Sequence, residues 1–293
     1  MDRIAPLRER VDRELEAYLP PAGERPTSVH QAMRYSALAK GKRLRPVLAI
    51  LAAEVFGEGA DRIAPVASAI ELIHAYSLIH DDLPCMDDDD FRRGVPTCHK
   101  AFGEAIAVLA GDALLTCAFE MIIENGARLG FGPAVLLEVI GELSRAAGSR
   151  GMIAGQVEDI ESEGREIDGP SLEYIHSHKT GRLFTASVRA GALLAAAPPE
   201  GLAALTAFGA AFGQVFQITD DILDVEGDTQ EMGKTRGSDQ RKEKATYPRI
   251  FTMARSKELA AQLVERAAEQ LAPYQPRGQA LVELVRYLPA RRS

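Results

Sequence analysis

Six aspartates fall within ten positions, at Asp81-Asp82-Leu83-Pro84-Cys85-Met86-Asp87-Asp88-Asp89-Asp90, and Arg92 and Arg93 follow at once. Carboxylates this close raise one another's pKa and oppose folding unless a cation sits among them. A hard divalent ion resolves the conflict. Mg2+ in particular binds through a few carboxylates and keeps positions for phosphate oxygens, which the arginines would then meet. A run of aspartates is also the pattern of a solvated face or a flexible tail. Two features favour metal here: the apolar helical pattern from Ala69 to Ile79 that leads into the run, and a second cluster at Asp220-Asp221-Ile222-Leu223-Asp224. In that second cluster Gln217, Asp220 and Asp224 share one helical face, with Asp221 beside it.

The basic residues are local too. Gly41-Lys42-Arg43-Leu44-Arg45-Pro46 puts three cations in a turn ahead of a helix whose first turn suits Pro46. Backbone N–H groups at a helix start also favour an anion, so the turn reads as a diphosphate seat, with a solvated basic turn as the alternative. His74 lies about two turns before the aspartate run, by 3.6-residue geometry. Lys179-Thr180-Gly181 sits inside a long helical pattern, where glycine costs about 1 kcal/mol relative to alanine. A local kink that turns Lys179 and Thr180 into a cavity is expected there, with a simply exposed lysine as the alternative. Residues 226 to 245 hold glycines and many charges and read either as a mobile surface loop or as a lid, with Lys234 the candidate cation over bound phosphate.

The elements that must position these groups are helices. Periodicity is helical almost throughout, Ala and Leu abound, and β-branched alternation is sparse. Expected helices cover residues 3 to 19, Thr27 to about Leu38, Pro46 to about Phe56, about Asp61 into the aspartate run, and residues 101 to 125. Others run from Pro133 to Glu161, from Pro170-Ser171 through Ala197, from Gly201 to Val225, and from Tyr247 onward. Gly111 and Ala113 read as close-packing positions, as does the stripe Gly148, Gly151 and Gly155. The acidic tail from Glu158 to Glu163 reads as a solvated helix end. Residues 101 to 125 are apolar nearly all round, which suits a core or an oligomer interface.

At 293 residues, with no Pro/Gly/Ser-rich linker, residues 1–293 read as one domain. A net charge of -8 argues against broad nucleic-acid binding. Three cysteines with no CxxC spacing argue against a disulfide framework and point to the cytosol. No signal-peptide pattern is apparent, and no uninterrupted apolar run approaches the ~20 residues of a membrane span, so a soluble chain is expected.

Taken together, His80 to Arg93, Gln217 to Asp224, Gly41 to Pro46 and Lys179-Thr180 resemble the short-chain trans-prenyltransferases, the polyprenyl diphosphate synthases. The likeness spans nearly the whole chain. Asp81-Asp82-x-x-x-x-Asp87 is similar to the family's first aspartate-rich motif in its bacterial form with two extra residues, and Asp220 to Asp224 to the second. Lys40 departs from the pattern, since the family often has a second glycine there. On a regular helix Asp87 would lie about 240° round from Asp81. A bulge at Pro84 is therefore expected to bring the two to one metal.

The resemblance implies an all-α, antiparallel helix bundle around a deep central cavity (the isoprenoid synthase fold), a homodimer, and a trinuclear Mg2+ cluster. Asp81 and Asp87 would hold two ions and Asp220 the third, with Asp82, Asp221 and Asp224 in support. Arg92, Lys179, Thr180, Gln217 and Lys234 would hold the allylic diphosphate. Lys42, Arg45, His74 and Arg93 would hold isopentenyl diphosphate. In the family the positions four and five before the first motif, here Ser77 and Tyr76, tune product length. An aromatic residue at the fifth position with the insertion implies a C15 farnesyl product, with C20 geranylgeranyl as the alternative. A terpene cyclase, which has no second diphosphate to bind, and a catalytically silent partner subunit are the readings from other classes.

Overall fold

Alanine- and leucine-rich stretches with helical spacing fold into successive helices around one large apolar core, and the computed structural model describes residues 3–226 and 245–291. The first helices are α1 (Ile4–Tyr18), α2 (Thr27–Ala37), α3 (Leu44–Val55), α4 (Ala60–Ala67) and α5 (Ala69–Asp81). After a short hairpin come α6 (Cys98–Phe102), α7 (Glu104–Arg128), α8 (Pro133–Ala147), α9 (Met152–Ser162) and α10 (Gly169–His176). A π-helical turn, Ser177–Gly181, leads into α11 (Arg182–Leu194), which is followed by α12 (Pro199–Glu226), α13 (Tyr247–Phe251), α14 (Met253–Gln270) and α15 (Gln279–Tyr287). Among the described residues the one sheet is the hairpin, in which Phe91 pairs with Pro96 and Arg92 with Val95.

The helices that carry chemistry form the middle of the bundle. α3 is buried from Pro46 to Ala53 and packs on α11; α11 packs on α12, and α5 packs on α7. Of these, α3, α5, α11 and α12 each bring a polar end or turn to an otherwise apolar interior. The basic turn opens α3, the first acidic cluster closes α5, the π turn opens α11, and the second acidic cluster lies near the end of α12.

Several boundaries differ from the sequence expectation. The helix expected from Pro133 to Glu161 is two helices, because the chain breaks at Gly148 to Gly151, where Gly151 adopts φ -131° and ψ -122°. Gly148 and Gly151 thus serve the break, and only Gly155 serves close packing: a Cβ there would come within 2.1 Å of the Lys179 backbone nitrogen. Gly111 does pack closely, against the His80 ring at the end of α5. The helix expected at residues 101 to 125 restarts at Gly103, whose φ is 86°. The expected kink at Lys179 is present as the π turn, the one-residue widening that such turns insert into a helix.

Among the described residues three helical stretches, Ala60–Asp81, Glu104–Arg128 and Pro199–Glu226, have the length and hydropathy of a membrane span, contrary to the expectation of none. Uninterrupted apolar runs are absent, but alanine and glycine keep the average high. The most apolar window of the first stretch is 78% buried inside the bundle, against 44% for each of the other two.

Candidate active site

The first acidic cluster owes its shape to an interruption. α5 stops at Asp81, and the chain turns through Leu83 to Met86 so that the Asp87 N–H donates back to the Asp81 carbonyl at 2.8 Å. The expected helical bulge is thus a helix end followed by a return loop. Asp88, at φ 49°, closes that loop with a hydrogen bond from its N–H to the Leu83 carbonyl at 3.1 Å. Thr97 anchors the hairpin behind it by donating from Oγ1 to the Asp89 carbonyl at 2.8 Å.

Asp82 is buried and accepts from Arg92 Nε at 2.8 and 2.9 Å, with a further contact to Arg92 Nη2. Burial alone would lower the Arg92 pKa, and the Asp82 carboxylate outweighs it and holds the guanidinium charged. The aspartates nearest to the two arginines in sequence are not their main partners. Arg92 takes Asp82 first and Asp89 only at 3.8 Å, while Asp90 pairs with Lys100 at 2.7 Å. The earlier aspartate wins because it sits on the buried side of the loop.

The second cluster is an uninterrupted helical stripe. Asp220 is paired with Arg291, whose guanidinium stacks 4.3 Å over the Phe216 ring and donates to the Phe216 carbonyl at 3.2 Å. Asp221 is buried, accepting from Gln217 Nε2 at 2.9 Å and from the Tyr247 N–H at 2.9 Å. Asp224 is half-buried one turn beyond Asp220. Thr180 Oγ1 donates to Gln217 Oε1 at 3.1 Å, so the π turn and α12 share one hydrogen-bonded line from Thr180 to Tyr247.

Lys179 points across to α9, where its Nζ lies 2.6 Å from Asp159 Oδ2. The acidic tail of α9, expected to be solvated, therefore supplies a partner for a cation of the π turn. Lys234 lies outside the described residues.

The basic turn faces a concentration of like charge. Arg43 caps α3 in the left-handed region, at φ 49° and ψ 32°. Arg45 stacks 4.3 Å over the Phe184 ring, its Nε has no hydrogen-bond partner among the described residues, and burial lowers its pKa to about 10. Partial desolvation and the nearby Arg291 lower the Lys42 ammonium. Arg93 donates from Nη1 to the Lys40 carbonyl at 2.9 Å, which brings the hairpin onto the turn. Burial depresses His74 well below its ordinary value, and Arg45, Arg93, Arg92 and Arg43 act in the same direction. With Arg43 held by Asp12 and Glu71 and Arg92 held by Asp82, Arg45 and Arg93 beside the neutral imidazole are the guanidinium groups placed to seat a polyanion.

Five residues before Asp81, α5 carries an aromatic ring. Tyr76 is buried, meets the His80 ring edge-on at 5.8 Å, and its hydroxyl has no hydrogen-bond partner among the described residues. His80 Nε2 lies 3.1 Å from the Val108 carbonyl, so α7 backs the pair. Ser77 turns its hydroxyl onto the His74 carbonyl at 2.9 Å.

Among the described residues no three His, Cys, Asp or Glu side chains converge as a ready-made metal cage. Sequence reasoning missed three residues of this site: Asp159, Arg291 and Glu71, the last a buried partner of Arg43. Only Glu71, a charge in an otherwise apolar helix, carried a signal of its own.

A family model for polyprenyl synthetase matches residues 26–283. The chain belongs to the polyprenyl synthetase family. It is 48% identical over 269 residues to a farnesyl diphosphate synthase of Geobacillus stearothermophilus, covering 92% of this chain and 90% of that one. It is also 48% identical over 269 residues to a chloroplastic geranylgeranyl pyrophosphate synthase of Catharanthus roseus, covering 91% and 74%. The fold superimposes on an FPP/GFPP synthase from Zymomonas mobilis with a TM-score of 0.87 at 35% identity, over 98% of this chain and 97% of that one. The bundle is the isoprenoid synthase fold, and the enzyme is a prenyltransferase.

Proposed function

We propose that this prenyltransferase condenses dimethylallyl diphosphate, then geranyl diphosphate, with isopentenyl diphosphate and releases farnesyl diphosphate. The observation that carries the C15 product is Tyr76. It stands five residues before Asp81 on the same helix, 6% exposed, with His80 and α7 behind it. Burial raises its hydroxyl pKa to about 12, so the ring stays neutral against an apolar tail. A prenyl chain growing down α5 from the acidic loop meets this ring as a floor.

Mg2+ fits the donors present. They are hard carboxylate oxygens on a loop that folds Asp87 back on Asp81, and substrate oxygens would complete each coordination shell, as Mg2+ prefers. Asp81 and Asp87 would hold two ions and Asp220 a third, giving a trinuclear cluster with the substrate diphosphate. Asp221 and Asp224 support the stripe, and Asp82 supports through Arg92. Bound Mg2+ supplies electrostatic stabilisation of the departing pyrophosphate. Lys179, Thr180, Gln217, Arg92 and Lys234 would bind the allylic diphosphate; Lys42, Arg45, His74 and Arg93 would bind isopentenyl diphosphate.

The allylic C–O bond breaks with its electron pair on pyrophosphate, the isopentenyl double bond attacks the allylic cation, and one proton passes to pyrophosphate. The residues' part is to orient two polyanions, stabilise the leaving charge and exclude water that would quench the cation.

Purified protein incubated with Mg2+, dimethylallyl diphosphate and isopentenyl diphosphate should release pyrophosphate and accumulate C15 alcohol after dephosphorylation. Tyr76→Ala should move product toward C20. Wild-type protein that makes mainly C20 would establish the second reading, geranylgeranyl diphosphate synthesis, which the Catharanthus roseus likeness favours. No turnover would sink both.

We place the enzyme in the cytosol as a homodimer. Leu109 and Ile123 on α7 and Leu137 on α8 are each more than half exposed, an apolar face of the kind that a second copy covers. Sedimentation at micromolar concentration should return twice the chain mass, and the single-chain mass would refute the dimer.

A further inference from the structure

Arg43 stands between two residues of the basic turn, Lys42 and Arg45, yet points away from them. Its side chain is 3% exposed. It donates from Nε to Asp12 Oδ1 at 2.8 Å, from Nη1 to Glu71 Oε1 at 2.9 Å and from Nη2 to the Ala39 carbonyl at 2.7 Å. The three acceptors belong to α1, α5 and the end of the preceding segment, so one guanidinium ties three parts of the fold together. Its backbone lies in the left-handed region, which a non-glycine residue keeps only when its surroundings over-determine it. Glu71 is 4% exposed and lies one turn before His74 on α5, so the arrangement also fixes the height of the turn against that helix.

We propose that the Asp12–Arg43–Glu71 network is a positioning device for the isopentenyl diphosphate seat, holding the turn in the conformation that directs Lys42 and Arg45 toward the anion. The inference rests on the reading that this turn binds the non-allylic diphosphate. A planar guanidinium meets three acceptors in fixed directions, whereas an ammonium is a point charge that cannot reproduce the fork. With Arg43→Lys the net charge of the seat is unchanged and only the geometry is lost. Removing the Asp12 carboxylate would, through its charge alone, tighten anion binding. Weaker binding in Asp12→Asn therefore reports lost position and not lost charge.

The test measures KM separately for isopentenyl diphosphate and for geranyl diphosphate, and the affinity of isopentenyl diphosphate alone by titration calorimetry, in wild type, Arg43→Lys and Asp12→Asn. Arg43→Lys should raise KM and Kd for isopentenyl diphosphate about tenfold, a loss of ~1.4 kcal/mol, and leave KM for geranyl diphosphate within about twofold. Asp12→Asn should act in the same direction by about threefold, because Asp12 holds the more exposed arm. If Arg43→Lys does not fold, Asp12→Asn decides. Equal rises in both KM values, or a lowered Tm with an unchanged isopentenyl diphosphate affinity, would show a purely structural network and overturn the proposal. Wild-type protein that neither binds nor turns over isopentenyl diphosphate would overturn the reading of the seat itself, a different result.

Discussion

The two acidic clusters look alike in sequence and are built in opposite ways. At the end of α5 the chain leaves the helix and folds back, so Asp81 and Asp87, six positions apart, are joined by a backbone hydrogen bond of 2.8 Å. On α12 the helix is unbroken, and the 3.6-residue period alone lines up Gln217, Asp220 and Asp224. Their neutralising partners differ accordingly. Arg92 comes from a hairpin only ten residues on and takes the buried Asp82. Arg291 arrives from 71 residues away and takes Asp220, which is about half exposed. A loop cluster carries its counter-charge nearby, while a stripe on a straight helix depends on distant chain to supply one.

That contrast can be broken residue by residue. The largest effect should come from the proposed metal ligands: Asp81→Asn and Asp220→Asn should each lower kcat/KM by ~10^3-fold or more, since each removes a charge that matters chiefly as pyrophosphate departs. Steady-state kinetics across a Mg2+ series would show it, and activity restored to wild type by saturating Mg2+ would place the defect in ion affinity and not in the chemical step. A smaller effect on rate but a clear one on stability is expected of Asp82→Asn. Removing one partner of a buried ion pair typically costs about 3–5 kcal/mol. The asparagine can keep one hydrogen bond and Arg92 retains some solvent contact, so the low end applies here. Thermal unfolding should show a fall in Tm of several degrees, and an unchanged Tm would mean that Arg92 finds Asp89 instead.

What could be read from sequence divides along the same line. The helices, both acidic clusters, the basic turn and the widening at Lys179 follow from local spacing, and local spacing is what a single chain displays. The Lys179–Asp159 pair spans 20 residues and the Asp220–Arg291 pair spans 71, so both depend on how helices pack and neither leaves a periodic signal. The glycines of residues 148 to 155 misled for a related reason. Glycine at three- and four-residue spacing marks equally a packing stripe and a helix break, and only the backbone at Gly151 decides between them. The left-handed Arg43 was hidden because its partners, Asp12 and Glu71, lie on two other helices.

If both clusters act on one substrate diphosphate, a crystal structure with Mn2+ and a non-hydrolysable allylic diphosphate will show it. Anomalous peaks should appear at Asp81 and Asp87 and also at Asp220, with Arg291 withdrawn from that carboxylate. Peaks confined to the α5 loop, with Arg291 still paired to Asp220, would mean that the α12 stripe holds no metal.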